Sequence, residues 1–593
     1  MRRPNYLAVD TEYEKGNPAF ATLAGYSYSL GPGKARYVPM RGWPKLGNDL
    51  AKLAHLQQML NDAEVVVMHN QAADSTILEA YGLTIPYARL HDTMGMAQLL
   101  GKEAIGLKSL AYTELGIDAT ELAELTGTGA KERSVLDIPP DELGPYACAD
   151  ADNTGQLWLK LMEEMERDPL TQLVYESIER PLFPVVVDMA RTGVVVDLAK
   201  LPDIEQQVRE RWGEVEARIL ELPSLPRRWK RYKRKPDVLL PFNIGSPQQA
   251  ADYLYRVLGL PPQTNDKTGQ LSTDEPSLFK LLELGHEHPV IPLLLDWREC
   301  AKLVNTYIKG IREGARPDGH GNMRLYNPLK QFAAKTGRTS FEGLLQTIPI
   351  RTTMGARLRE VFTAPEGERF LDADYSQVEL RTFTLVSHDP QLTEYYQNAN
   401  ADLHNWVVQE SGIPRRSAKV LTFGRLFDQQ ESAAYMRVYA DYRDAGETPP
   451  TREEFHRFYL QHRAKVPALG TYHQRIAHEV RTAGQVRTWY GRKLVVPRDA
   501  RGTVLRTAYS QPIQGTAADL LKLAMPLVWG YMRSVGGKLI APVHDELICY
   551  VPEGVAEEAK GRVKWIMESV TAGRWPIPVL AEVKVGMDWA TTH

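Results

Sequence analysis

The sequence predicts a multidomain protein of mixed α/β and α+β class. Its 593 residues exceed what one hydrophobic core usually organises, so several domains are expected. Short apolar runs that stop abruptly at acid occur in both halves of the chain, at Leu7-Ala-Val-Asp-Thr-Glu12 and at Phe370-Leu371 leading into Asp372. Around them lie segments with helical spacing, such as Tyr146 to Asp150 and Ile413 to Phe427.

Leu7 to Glu12 reads as a strand, and Asp10 and Glu12, two residues apart, face the same side. Glu64-Val-Val-Val-Met-His-Asn70 is a second buried strand, and the helix that follows carries Asp74. Tyr146-Ala-Cys-Ala-Asp150 places a phenol and a carboxylate at i and i+4 on one helix face. A proline interrupts a charged helix at Asp168-Pro-Leu170, which marks a domain junction. Farther on, Leu539-Ile-Ala-Pro-Val543 and Leu547-Ile-Cys-Tyr-Val551 flank His544, Asp545 and Glu546 as a β-hairpin. Its tight turn would present the acids at a tip rather than within a ladder.

Two carboxylate clusters, Asp374 in Asp372-Ala-Asp-Tyr-Ser-Gln-Val-Glu-Leu-Arg381 and Asp545 in Val543-His-Asp-Glu-Leu547, can bind two hard cations at strand ends. Metals roughly 3.5–4 Å apart serve an in-line phosphoryl displacement, one activating the attacking oxygen and the other neutralising the leaving one. The segment between the clusters, Ile413-Pro-Arg-Arg-Ser-Ala-Lys-Val-Leu-Thr-Phe-Gly-Arg-Leu-Phe427, is a predicted helix with Pro414 near its first turn. Arg415, Lys419 and Phe423 recur every four residues, giving one stripe of two cations followed by aromatics. A triphosphate along that stripe would meet Arg415 and Lys419, with Phe423 and Phe427 offering faces to sugar and base.

These segments resemble the three motifs of the family A DNA polymerases, in the family's order. Asp-Tyr-Ser-Gln-Val-Glu-Leu-Arg is similar to motif A, Arg-Arg-Ser-Ala-Lys-x-x-x-Phe-Gly to motif B and Val-His-Asp-Glu-Leu to motif C. Thr336-Gly-Arg338, Leu345 to Arg351 and Gln511-Pro-Ile-Gln-Gly-Thr-Ala-Ala-Asp519 match as well. Upstream, Asp10, Glu12, Asp74, Tyr146 and Asp150 resemble a DEDDy-type 3′→5′ exonuclease. The resemblance implies a ribonuclease H-like exonuclease domain over 1–170 and a right-hand polymerase over 171–593, with thumb at about 198–320, fingers at about 402–485 and palm in the flanking segments.

It also implies roles. Asp374, Asp545 and the Tyr375 carbonyl would hold two Mg²⁺ ions, for which Mn²⁺ can substitute, with Glu546 as a supporting acid. Asp10, Glu12, Asp74 and Asp150 would hold two more, and Tyr146 would orient the attacking water. Arg415, Lys419, Phe423, Phe427, His404, Glu379 and Gln377 would bind the incoming dNTP, with Lys419 as proton donor to the leaving group. Arg338, Arg506, Gln514 and His544 would contact primer-template DNA. His91 is read as structural. Thr422, Phe427, Asp428 and Ser510 depart from the bacterial pattern. Asp372 is either a group behind the metal Asp or a surface acid.

The basic run Arg227-Arg-Trp-Lys-Arg-Tyr-Lys-Arg-Lys235 carries seven cations with Trp229 and Tyr232 interleaved, a composition that suits phosphate contact and stacking. Arg227, Arg228, Lys230 and Arg231 are its candidate DNA contacts, against the reading of a solvated loop. The formal charge of −3 does not exclude such a local basic track. Cys148, Cys300 and Cys549 are scattered, so neither a zinc site nor a disulfide framework is expected. No apolar run approaches the ~18 residues of a membrane span, and the N-terminus leads directly into a strand, so a cytoplasmic protein is expected. No segment corresponds to the 5′ nuclease domain of the bacterial repair enzyme, which favours a replicative, phage-like enzyme, and the thumb region is too short for the thioredoxin-recruiting insertion of some phage relatives. A processivity factor or helicase partner is not identifiable. A single-subunit RNA polymerase is disfavoured by Glu379, where those enzymes carry a small residue. A degenerate polymerase half is disfavoured by the intact Asp374, Asp545, Arg415 and Lys419.

Overall fold

The structure, a computed structural model, describes residues 5–592 apart from 41–48, 130–131, 226–227, 231–237, 241, 266–267, 287, 350–352, 399–400 and 445–446. Strands β1 (Tyr6–Tyr13), β2 (Leu23–Ser29), β3 (Ala35–Pro39), β4 (Val65–Met68) and β5 (Leu90–Asp92) form one sheet in the order β3-β2-β1-β4-β5. β1 pairs antiparallel with β2 and parallel with β4. The unbroken apolar run of β4 suits a parallel strand covered on both faces. Helix α1 (Gln71–Ala80) leaves β4 through Asn70, which takes a left-handed φ of 63°. A short helix α2 (Leu107–Leu110) follows, and then the long helix α3 (Pro140–Glu166) packs across β1, β2 and β3. α3 starts with Pro140 in its first turn, followed by Asp141 and Glu142, which complement the positive helix N-terminus. It ends at Glu166. Asp168 then caps the next helix, Pro169–Val174, by accepting from the Thr171 N–H at 3.3 Å, so the chain breaks where the proline predicts it.

The second half is organised by an antiparallel sheet of β6 (Glu368–Tyr375), β7 (Lys538–Val543), β8 (Glu546–Pro552) and β9 (Ala581–Gly586), ordered β7-β8-β6-β9. Alternation along β6 assigns its faces. Leu371, Ala373 and Tyr375 enter the core that contains helix residues of 502–534 and 556–569, whereas Phe370 enters the core shared with Val194, Tyr307 and Trp589. Among the described residues five helices lie between 403 and 483, one of them α4 (Arg415–Leu426). The 33-residue helix α5 (Gly502–Ser534) runs behind the sheet. Helices Leu201–Leu220 and Val290–Lys302 pack together, and with Phe242, Tyr253 and Leu254 they enclose a separate apolar core.

The two halves are fastened to each other. Gln98 Nε2 donates to the Phe332 carbonyl at 2.6 Å, and the Phe332 ring belongs to the N-terminal core, lying where a side chain on Gly95 would collide with it. Arg487 and Lys493 donate to Asp168 at 2.7 and 3.3 Å, and the bonds from Arg487 and Thr171 hold its carboxyl down to about 2 against the cost of burial.

Two candidate carboxylate sites

β1 carries Asp10 and Glu12 on one side of the sheet, and α3 brings Asp150 to them. Among the described residues these three acids form a cluster in which each offers one oxygen, all within 4.8 Å of one another. Asp74, on α1, is buried beside them and turns Oδ1 to the Thr11 N–H and hydroxyl at 3.1 and 2.5 Å. Burial dominates the electrostatics. It raises Glu12 to about 8 and Asp74 to about 7, and raises Asp10 well above the usual carboxylate range, with the neighbouring acids pushing the same way. Bare anions are therefore disfavoured here, and the oxygen-only donor set fits a hard divalent cation. Tyr146 stands one turn before Asp150, its phenol pushed well above the ordinary value by burial and by the Asp150 carboxylate. Lys108 on α2, which motif reading missed, donates its ammonium to Asp150 Oδ1 and lies 4.1 Å from the Tyr146 ring centroid. His91, expected to be structural, is buried between Trp158 and Tyr175.

In the second site Asp374 lies on β6 directly opposite Glu546 of β8 and Glu582 of β9. Asp374 is the exposed residue of β6, yet partial desolvation by its surroundings and the negative charge of Asp545 push its carboxyl up to about 8, and burial also raises Asp545. The Tyr375 N–H donates to the Asp545 carbonyl at 3.3 Å, joining the end of β6 to the turn. That turn consists of His544 and Asp545 alone, with His544 exposed at a φ of 57°. Glu546 is thus not at the tip, as expected, but is the first residue of β8, buried and paired across to Asp374, because a two-residue turn closes the hairpin one position earlier. Asp372 is 4% exposed and raised to about 8 by burial and by Glu546. The surface-acid reading of Asp372 therefore fails. The buried guanidinium of Arg359 is a stabilising neighbour of that carboxyl.

α4 begins at Arg415, with Pro414 as its N-cap. Arg415 donates to Asp402 and Asn405 at 2.7 and 2.8 Å, while Lys419 is exposed one turn on. Phe423 is half-buried, its ring centroid 5.3 Å from that of His404. His404 is buried, and burial lowers it to about 4, so it stands as a neutral imidazole rather than a cation. Phe427 is the helix C-cap and Asp428 takes a φ of 54°. Thr422 bonds to the buried His462 at 2.9 Å. Arg338 pairs with Glu379 at 2.7 Å, an ion pair between the predicted DNA contact and the predicted sugar neighbour that spacing could not foresee. Gln377 is the left-handed N-cap of the helix Val378–Ser387 and accepts from the Tyr396 hydroxyl at 3.4 Å. Arg506, bonded to Thr503 at 3.0 Å, Gln514 and Ser510 all lie half-buried on α5. In the basic run, Arg228–Lys230 is a strand paired antiparallel with Val238–Leu240. Arg227 and Arg231 lie outside the described residues, as do the side chains of Arg228 and Lys230.

The profile described as DNA polymerase family A matches residues 221–591, and one described as 3′-5′ exonuclease matches residues 1–166. DNA polymerase I of Pseudomonas aeruginosa is 30% identical over 619 residues, covering 100% of this chain and 64% of that protein. The thermostable DNA polymerase I of Thermus filiformis is 34% identical over 436 residues, covering 70% of this chain and 48% of its own length. The chain thus spans less than two thirds of the length of these relatives. Among solved structures, the POL domain of Pol1 from M. smegmatis, in complex with DNA primer-template and dNTP, superposes with a TM-score of 0.79 at 23% identity, over 100% of this chain and 97% of that one.

Proposed function

This chain belongs to DNA polymerase family A, and we propose that it extends a primer 3′ end on a DNA template and removes 3′-terminal nucleotides at a second, separate site. The observation that carries this reading is the meeting of Asp374 and Asp545 at adjoining strand ends, with α4 presenting Arg415 and Lys419. Two divalent ions held by Asp374, Asp545 and the Tyr375 carbonyl would activate the attacking oxygen and neutralise the leaving one; Mg²⁺ is the proposed ion, with Mn²⁺ able to replace it.

The chain's own residues do the positioning. Arg415 and Lys419 bind the triphosphate of a dNTP, which draws Arg415 away from Asp402, and Lys419 gives a proton to the departing pyrophosphate. His404, neutral, offers a hydrogen bond but no charge. Phe423 and Phe427 line sugar and base, Gln377 and Glu379 lie beside the nucleotide, and Glu546 supports Asp374 across the ladder. Arg338, Arg506, Gln514 and His544 contact primer-template, as do the cations of 227–231. In the other site Asp10, Glu12, Asp74 and Asp150 would hold a divalent metal pair, which would supply charge stabilisation at the terminal phosphodiester, and Tyr146 would orient the attacking water.

A replicative role of phage type, the finer expectation, has no support among these relatives, which are bacterial DNA polymerases I. A cytoplasmic location is the accompanying proposal; among the described residues no helix is long and apolar enough to cross a membrane. Primer extension with dNTPs or rNTPs, with and without Mg²⁺, tests the reading. Template-directed, Mg²⁺-dependent extension with dNTPs supports it, and DNA binding without extension overturns it.

A further inference from the structure

In the N-terminal site an ammonium already occupies the company of the acids. Lys108 reaches from α2 to Asp150 Oδ1, its side chain only 16% exposed, and its ammonium lies over the Tyr146 ring. Asp150 is one of the three acids whose oxygens converge within 4.8 Å, so the set that fits a divalent ion includes the carboxylate engaged by Lys108. Its helix, Leu107–Leu110, is short, and the lysine stem is flexible, so the ammonium can withdraw without moving the acids.

We propose that Lys108 is a built-in counter-cation of the exonuclease site that competes with a divalent ion for Asp150 and so sets a higher metal requirement for proofreading. The inference rests on the nuclease reading given above. An ammonium at contact distance from a carboxylate repels an incoming dication and satisfies part of the negative charge that would attract it. Its position over Tyr146 couples the two states: while Lys108 holds Asp150, its ammonium also covers the face of the Tyr146 ring. Lys108 is thus a positioning residue, acting through Asp150 and Tyr146.

The test is Mn²⁺ binding followed by electron paramagnetic resonance in the full chain carrying Asp374→Asn and Asp545→Asn, which silence the other acids. Lys108→Met should tighten Mn²⁺ binding at the N-terminal site by about tenfold, the order expected for removing one neighbouring unit charge. Lys108→Arg, which keeps the charge, should retain the original affinity, and Lys108→Gln provides a second neutral variant should Met perturb folding. The Mg²⁺ concentration for half-maximal single-strand degradation should fall in parallel for Met. Unchanged or weaker Mn²⁺ binding in both neutral variants overturns the inference. Absence of any Mn²⁺ signal that Asp10→Ala removes would instead overturn the nuclease reading, and this inference with it.

Discussion

The half-buried ring of Phe423 offers a flat apolar face beside His404 and no hydroxyl. A dNTP can bridge its own 3′-hydroxyl to its triphosphate, whereas a ddNTP leaves that polar demand unmet, and sites relying on such a bond reject the analogue lacking it. Phe423→Tyr should therefore raise the ratio of ddNTP to dNTP incorporation efficiency strongly, with little change for dNTPs, when measured in an exonuclease-deficient background. A ratio that Tyr leaves unchanged would remove Phe423 from the sugar. At Glu379 the observed partner is Arg338, so the carboxylate is held in place rather than free. Glu379→Ala should narrow the preference for dNTPs over rNTPs and also release Arg338, weakening primer-template affinity; an unchanged sugar ratio would assign discrimination elsewhere. Individual acids and cations of this kind were legible because each motif keeps its residues close in sequence. Lys108 and Arg359 were not, since their acidic neighbours Asp150 and Asp372 arrive from other elements and neither lies in a recognisable motif.

Strand ends do the work of concentrating charge. The strands themselves are visible as apolar runs that stop at acid, but the expected hairpin turn runs one residue too far, because Glu546 looks like a turn residue by type while its register with Asp374 makes it part of the ladder. The basic run shows the reverse: its composition suggests a loop as one reading, whereas the Arg228–Lys230 backbone pairs as a strand in a local hairpin with Val238–Leu240, a pairing that charge does not encode. Gathering acids on β1 has a measurable cost. Glu12 rises from 4.5 to about 8 in the fold, so between those pH values the unfolded carboxyl ionises while the folded one resists, and stability falls as pH rises. Each unit is worth about 1.4 kcal/mol. In EDTA the N-terminal domain should melt at a lower temperature at pH 8 than at pH 5, Glu12→Gln should flatten the difference, and Mg²⁺ should restore stability at pH 8. A melting temperature in EDTA that rises over this range would contradict the burial argument.

Across the whole molecule, a buried ionic network joins segments far apart in sequence. Glu179 accepts from Lys522 at 2.8 Å and from Gln331 at 2.6 Å and pairs with Arg492, which in turn bonds Asp519 at 2.7 Å. Two acids and two bases balance, and all four side chains are nearly inaccessible. Removing one charge from such a set is expensive, about 3–5 kcal/mol, because the partner is left buried and uncompensated. Glu179→Gln should lower the unfolding temperature of the polymerase half clearly, and a calorimetric scan matching the parent would refute a structural role for the network. Neither this network nor the docking of Phe332 on the N-terminal domain could be read from the sequence, since both depend on tertiary approach of segments with no shared pattern. What the fold does with these ties is to hold two carboxylate sites in one chain while keeping their acids on different sheets, Asp10 and Glu12 on β1 and Asp374 on β6. The most direct measurement is therefore a paired assay of primer extension and single-strand 3′→5′ degradation on folded variants. Asp545→Ala should abolish extension and leave degradation near normal, and Asp10→Ala with Glu12→Ala should do the reverse; loss of both activities from either change would contradict two independent sites.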